Sequence, residues 1–340
     1  MTHKVVLIPG DGIGPEVSAA MSEIVLASGA PVEFLPFLAG EAALLAGKTE
    51  LLPTETLAAI REHGVGIKGP CTTPIGSGFS SVNVALRKAL NMYAAVRPIR
   101  NMPGVKTRYD NVDMVIVREN TEGLYSGLEN TITEDVVVSL KVATRVACSR
   151  IARFAFEYAV ARKRKKITVL HKANIMKLTD GMFLREARIV RESYKTIEYE
   201  ELIIDAAMMR MVRDPGPFDV VLCENLYGDL VSDLAAGMVG GLGVAPGANL
   251  GEACAVFESV HGSAPDIAGK NVANPLALLM SAVMMLNHLA TTRSDDACGK
   301  AAVRIKTAYD GALGAGEVTG DLGGKLGTRE FAKAVIARFG

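Results

Sequence analysis

Asn225-Leu-Tyr-Gly-Asp229-Leu-Val-Ser-Asp233 is the stretch on which the fold and chemistry of this chain turn. The residues before it, Phe218-Asp-Val-Val-Leu-Cys223, are short, apolar and rich in β-formers, the pattern of a buried strand. Asp229-Leu-Val-Ser-Asp-Leu-Ala-Ala then reads as a helix entered through Gly228. Residues four apart share one helical face, so Asp229 and Asp233 leave the first turns in the same direction. They do so just past the carboxyl end of a strand, where ligands of α/β proteins bind. Two hard oxygen donors converging there suit Mg²⁺ or Mn²⁺. The plainer alternative is that Asp229 caps the helix and Asp233 is a solvated surface charge. The pair alone leaves both readings open.

The same strand-then-helix grammar recurs outward from this point. Lys4-Val-Val-Leu-Ile8 is a strand, Pro9-Gly-Asp-Gly-Ile-Gly14 a glycine loop, and Pro15 a favoured first helical residue. The Gly-x-Gly-x-Gly spacing departs from the dinucleotide fingerprint, and no acidic ribose partner ends a clean second strand. The loop reads instead as a place of close backbone approach. Val65-Gly-Ile-Lys68 ends another strand, followed by the polar loop Cys71-Thr72-Thr73-Pro-Ile-Gly-Ser-Gly78. A helix then begins near Ser81, with Asn83 and Arg87 on one face. Spare backbone N–H groups at a helix start attract carboxylates, and the planar fork of Arg87 matches one. Arg97, in Ala-Val-Arg-Pro, and Arg118, in Val-Ile-Val-Arg-Glu, each end an apolar strand. One such arginine reads as a structural ion pair; three, beside hydroxyl and amide groups, read as a polyanion pocket. Tyr125 is either a half-buried aromatic or a general acid whose pKa a cation lowers. Lys172, after Val169-Leu-His171, is placed to act as a base if its own pKa is depressed. Asp205 lies where another strand meets a helix. His261 sits in a long polar loop over residues 256–275, the kind of segment that carries function. Gly240-Gly-Leu-Gly-Val-Ala-Pro-Gly247 is a glycine-rich connector between domains.

Composition narrows the function classes. The chain has 340 residues, room for a large core and two domains, with 49% hydrophobic and 22% charged residues. Its net charge is zero, so it lacks the surplus of Lys and Arg that a sequence-independent grip on nucleic acid requires. Arg162-Lys-Arg-Lys-Lys166 reads as a solvated helix end. Five scattered cysteines without a Cys-x-x-Cys pair fit free thiols in a reducing compartment. The chain enters a strand within a few residues of Met1, without a signal-peptide pattern. Its longest apolar helical run, residues 275–286, is too short for a bilayer. These features lead to the expectation of a cytoplasmic protein with no nucleic-acid or membrane partner.

The motifs also carry a family likeness. The chain resembles the β-decarboxylating dehydrogenases, the isocitrate and 3-isopropylmalate dehydrogenase family, most closely its NAD-dependent isocitrate branch. The likeness runs from Gly10-Asp-Gly-Ile-Gly14 to Thr319-Gly-Asp321, and is most specific at residues 225–233 and at His261-Gly-Ser-Ala-Pro-Asp266. Arg118-Glu-Asn-Thr-Glu-Gly-Leu-Tyr125 and Lys172-Ala-Asn174-Ile-Met-Lys support it. The resemblance implies a three-layer α/β fold that is not a Rossmann fold. It implies a large domain over residues 1–95 and 241–340, a small domain over 96–122 and 146–240, and a clasp over 123–145. It further implies a homodimer with shared active sites, able to pair into a higher oligomer, in which Lys172, Asn174 and Asp205 come from the neighbouring protomer.

The resemblance also implies roles. Tyr125 and Lys172 are the catalytic acid and base. Thr73, Ser81, Asn83, Arg87, Arg97, Arg118 and Asn174 hold the substrate. Asp205, Asp229 and Asp233 hold Mg²⁺ or Mn²⁺. Ile13, Thr73, Asn225, His261, Gly262, Ser263 and Ala264 hold the nicotinamide cofactor, together with Asp266, Ile267, Asn274 and Asp321. Burying an unpaired carboxylate against leucine-like residues is costly, so polar Ser81 and Asn83 favour isocitrate over isopropylmalate. Asp266 and Ile267 replace the lysine and tyrosine of NADP-using relatives, and a carboxylate there repels a 2′-phosphate, which favours NAD. The expected activity is oxidative decarboxylation of isocitrate to 2-oxoglutarate and CO₂, a tricarboxylic acid cycle reaction. The alternatives are 3-isopropylmalate or homoisocitrate dehydrogenase, or a regulatory chain of a hetero-oligomer.

Overall fold

The computed structural model describes residues 2–72 and 81–340. Thr73, expected to touch both substrate and cofactor, lies outside the described residues. In chain order the described strands are β1 (His3–Ile8), β2 (Val32–Pro36), β3 (Val65–Lys68), β4 (Ala94–Arg100), β5 (Asp113–Glu119), β6 (Gly123–Thr133), β7 (Val136–Val142), β8 (Lys166–His171), β9 (Glu198–Ile203), β10 (Val220–Cys223), β11 (Pro246–Leu250) and β12 (Ala255–Ser259). The chain divides into two compact units.

The first unit comprises Met1–Leu90, Asn101–Arg108 and Val239–Gly340. Its strands run β2-β1-β3-β12-β11, parallel except for the β12–β11 pair. The helix Leu276–Thr292 packs on β3, β11 and β12, and the helix Thr54–His63 packs on β1 and β3. The apolar run expected near residues 275–286 is this core helix, its first eight residues all buried. Among the described residues, no helix is long and apolar enough to cross a membrane.

The second unit comprises Asn91–Arg100 and Tyr109–Met238. Its strands run β4-β5-β10-β8-β9, antiparallel between β4 and β5 and parallel thereafter. All four residues of β10 are buried, which is why this strand reads as an unbroken apolar run rather than an alternation. The helix Arg145–Ala161 packs on β5, β8 and β10, and the helix Asn225–Met238 on β4, β5 and β10. An antiparallel hairpin, β6–β7, exposes Leu128, Ile132, Val136, Val137 and Leu140.

Two local expectations change. Arg97 does not end its strand: β4 continues through Pro98 to Arg100 because pairing with β5 persists to Arg100↔Asp113. The decisive helix starts at Asn225, not after Gly228. Its cap is Glu224, whose carboxylate accepts the backbone N–H groups of Leu226 (3.3 Å) and Tyr227 (3.2 Å). Asp229 is thereby relieved of the capping role.

Candidate active site

In the second unit the helix Asn225–Met238 lies against β5 with almost no space between them. A Cβ on Gly228 would fall 2.5 Å from Cγ of Arg118, so only glycine admits the Arg118 stem here. Arg118 is fully buried. Its Nε and Nη2 donate to Oδ1 of Asn225 at 3.0 and 2.7 Å, and Nη1 pairs with Oδ1 of Asp229. Arg97 reaches the same carboxylates, with Nη2 3.6 Å from Asp229 and Nη1 3.5 Å from Asp233. It also donates to the Ser232 hydroxyl. Asp229 and Asp233 therefore face one positive charge from one side of the helix, as their spacing required.

Tyr125, near the start of β6, donates its hydroxyl to the other oxygen of Asp229. The Arg118 guanidinium stands 5.1 Å from the centre of its ring. Burial and the neighbouring Asp229 push the Tyr125 hydroxyl above its ordinary pKa, against the opposing charge of Arg118. It is a proton-bearing group at neutral pH.

The fit of a divalent cation is testable on this geometry. The two carboxylates supply hard oxygens on one side of the helix, and both face the Arg97 guanidinium, so the donor chemistry fits a divalent cation. The expected third ligand, Asp205, is elsewhere. It sits in the first turn of the helix Ile204–Arg213 and pairs with Lys172, because β8 and β9 align His171 with Ile203. That pair lowers the Asp205 pKa. Asn174 is exposed beside it. Among the described residues of one chain, Asp205, Asp229 and Asp233 do not form a group within ligand range.

The first unit holds the remaining expected residues. Ile13, His261, Gly262, Ala264, Ile267, Asn274 and Asp321 line one open cavity of about 230 Å³, with Gly243, Val272 and Ala273. Asn274 donates to Asp321 at 2.9 Å, and the Thr319 hydroxyl donates to the other Asp321 oxygen. A Cβ on Gly243 would meet that carboxylate at 2.7 Å. Burial keeps His261 neutral by lowering its pKa, and its Nε2 is buried without a partner among the described residues. An orphaned ring nitrogen and a carboxylate on one cavity wall fit a nucleoside with its ribose hydroxyls. Asp266 is exposed in the turn Pro265–Ile267. Ser263 is tied to the neighbouring loops: its carbonyl accepts from Ile13 N–H at 2.8 Å and its hydroxyl from Thr72 at 2.8 Å. The close approach made by the glycine loop is thus to this second loop: Gly12, at φ +58°, sits directly on the Ser263 carbonyl. Asn225 belongs to the second unit, where its side chain holds Arg118 and donates to the Glu122 carbonyl at 2.9 Å.

Ser81 is the residue before the helix Val82–Ala89, with no side-chain capping bond. Asn83 carries a buried carbonyl oxygen without a partner among the described residues. Arg87 is buried, its Nε donating to Asn249 (3.1 Å) and its Nη2 to Glu258 (3.0 Å). Glu224, Glu258, Asn249, Lys68 and Gly243 do not stand out in the sequence as site residues. A lone carboxylate in the apolar strand Ala-Val-Phe-Glu-Ser is the available signal for Glu258.

Among the described residues, His3, Asp295 and Cys298 form a further group of ligand-type side chains. It is satisfied internally: Asp295 accepts from Ala297 N–H at 2.9 Å and pairs with His3 at 2.8 Å, while burial pushes the Cys298 thiol up to about 11.

The sequence pattern described as Isocitrate/isopropylmalate dehydrogenase matches residues 4–335, and the chain belongs to that family. Among its relatives is the alpha chain of a probable mitochondrial NAD isocitrate dehydrogenase of Drosophila melanogaster, 48% identical over 99% of this chain and 88% of the relative. Another is a regulatory chain of the mitochondrial NAD isocitrate dehydrogenase of Dictyostelium discoideum, 48% identical over 99% of this chain and 92% of the relative. The solved isocitrate dehydrogenase of Methylococcus capsulatus superposes with a TM-score of 0.93 at 46% identity, covering 99% of each chain. The mixed α/β fold expected from the motifs is therefore the fold of this family.

The expectation of a cytoplasmic protein is overturned by the Drosophila and Dictyostelium relatives, whose names place them in mitochondria. The physical reason is simple: unpaired thiols report a reducing environment, not which compartment provides it.

Proposed function

We propose that the protein is an NAD-dependent isocitrate dehydrogenase that oxidises and decarboxylates isocitrate to 2-oxoglutarate. One observation carries the reading: Arg97, Arg118 and the Tyr125 hydroxyl converge on the Asp229–Asp233 carboxylate pair. That cluster offers cations for substrate carboxylates, a proton donor, and oxygens for a metal within a few ångströms. Polar Ser81 and Asn83 favour a third carboxylate over an isopropyl group.

Asp229 and Asp233 would hold a divalent cation, whose Lewis acidity would lower the pKa of the substrate hydroxyl. The residues lining the cavity of the first unit would hold NAD, which would supply the hydride acceptor. Arg97 and Arg118 orient the substrate carboxylates. Tyr125, protonated at neutral pH, delivers the proton that replaces CO₂. Lys172 and Asp205 act as the base pair that receives the hydroxyl proton. In this reading the protein is a homodimer whose sites are completed by the neighbour, which contributes Lys172 and Asp205, as the family likeness implies. The exposed apolar residues of the β6–β7 hairpin fit the clasp over residues 123–145. The large domain, residues 1–95 and 241–340, then carries the cofactor, and the small domain, residues 96–122 and 146–240, carries the metal pair.

The purified protein alone should form NADH from isocitrate with Mg²⁺ or Mn²⁺, lose activity to a chelator, and run in solution at twice the chain mass. Isopropylmalate and homoisocitrate should be poorer by about 100-fold or more in kcat/KM. Turnover only after adding a second, different chain would replace this reading with that of a regulatory chain, the role printed for the Dictyostelium relative.

A further inference from the structure

Lys68, Arg87, Glu258 and Asn249 form a buried ionic group in the first unit. The β12–β3 register sets Glu258 beside Lys68, β11 brings Asn249, and the last turn of Val82–Ala89 brings Arg87. Glu258 Oε2 lies 3.0 Å from Lys68 Nζ. Its Oε1 accepts from Arg87 Nη2 at 3.0 Å and from Asn249 Nδ2 at 2.7 Å. Asn249 Oδ1 returns a bond to Arg87 Nε at 3.1 Å. All four side chains are buried. Two cations and one anion leave the group at a net charge of about plus one, in surroundings where a charge is costly unless something uses it.

Stability does not explain such an arrangement, because packed apolar residues would serve as well or better. Apolar residues cannot, however, hold a guanidinium in one orientation. Among the described residues, the bonds that Arg87 makes to Asn249 and Glu258 fall on its Nε–Nη2 edge, and neither uses Nη1. A fork held by one edge presents the other in a fixed direction.

We propose that Glu258, together with Asn249, is a positioning residue for the substrate: it fixes the edge of Arg87 and trims the buried charge so that one net positive charge and an oriented fork meet a substrate carboxylate. This rests on the reading of Arg87 as substrate-binding. Burial pushes the Glu258 carboxyl up, but the Lys68 and Arg87 charges and the Asn249 bond outweigh it and hold it well below the usual carboxylate range. Lys68 in turn keeps its proton against burial chiefly through Glu258. Among the described residues, the other titratable groups facing this cluster are Cys71, which itself faces Asp11, and His261.

The test is Glu258→Gln, compared with wild type on whichever of isocitrate, isopropylmalate and homoisocitrate the wild type turns over. The expected result is a rise in substrate KM of about 10- to 100-fold with KM for NAD unchanged. Lys68, left with burial and the Arg87 charge, should lose its proton at lower pH. The variant's kcat/KM should therefore gain a dependence on pH across the Lys68 titration, in the alkaline range, that the wild type lacks. An unchanged substrate KM and pH profile overturns the proposal, as does an equal loss for substrate and NAD, the mark of a merely structural role. If Glu258→Gln does not fold, Asn249→Ala is read by the same KM split at wild-type Tm, and an unchanged substrate KM overturns the proposal. Wild type that is inactive on isocitrate refutes the substrate assignment, whereas a variant that matches wild type refutes the role of Glu258.

Discussion

Asp229 is shared three ways: Arg118 and Arg97 take one oxygen and the Tyr125 hydroxyl the other. The expectation that a cation lowers the Tyr125 pKa is not met: burial and Asp229 outweigh Arg118 and raise it, so the hydroxyl carries its proton at neutral pH. Tyr125→Phe should lower kcat by about 10²- to 10⁴-fold and change KM for isocitrate little, measured by initial rates of NADH formation. Equal kcat in the two proteins would remove Tyr125 from the proton path. The convergence of Asp229 and Asp233 was legible in the sequence because helical spacing alone sets it. Glu224 as the cap was not, since a buried carboxylate one residue before a helix has no distinctive spacing; only its bonds to Leu226 and Tyr227 reveal it.

At the scale of elements, the helix Asn225–Met238 and strand β5 act as one part, joined where Gly228 meets the Arg118 stem. Gly228→Ala should cost about 1–3 kcal/mol in denaturant unfolding, the usual effect of overpacking. It should also cost activity, because Arg118 must move; full stability and full activity would show that the helix shifts freely. The loop carrying residues 261–267 is a second such part, held to the glycine loop through Ser263. Asp266→Lys with Ile267→Tyr should raise kcat/KM for NADP relative to NAD by about 10-fold or more, through the added cation for a 2′-phosphate. An unmoved cofactor preference would show that this loop does not choose between them. The loop was visible as a long polar segment, whereas Gly243 read only as part of a connector, because its place opposite Asp321 depends on residues far along the chain.

Over the whole molecule, His171, His261 and His288 are all held below the ordinary histidine pKa, with burial the largest cause in each. A base with a lowered folded pKa adds stability above its unfolded pKa, about 6.5, and that contribution is lost as pH falls through the folded value. His288 packs against Phe257 at 5.6 Å, away from the cavity-lining residues. His288→Phe should therefore lose less Tm than wild type between pH 7.5 and pH 5.5, while the acidic groups common to both proteins cancel in the comparison. Parallel Tm curves would mean that His288 is accommodated in its charged form.

By itself the sequence determined the α/β class, the strand ends where function collects, and the facing of Asp229 and Asp233, because local periodicity and spacing carry these. It also set the polar character of Ser81 and Asn83. Only the tertiary structure decided which arginine meets which acid. Arg97 and Arg118 went to Asp229, while Arg87 went to Glu258, 171 residues further along the chain. Such pairings follow from strand order and register, which bring distant segments together, and no local pattern specifies them.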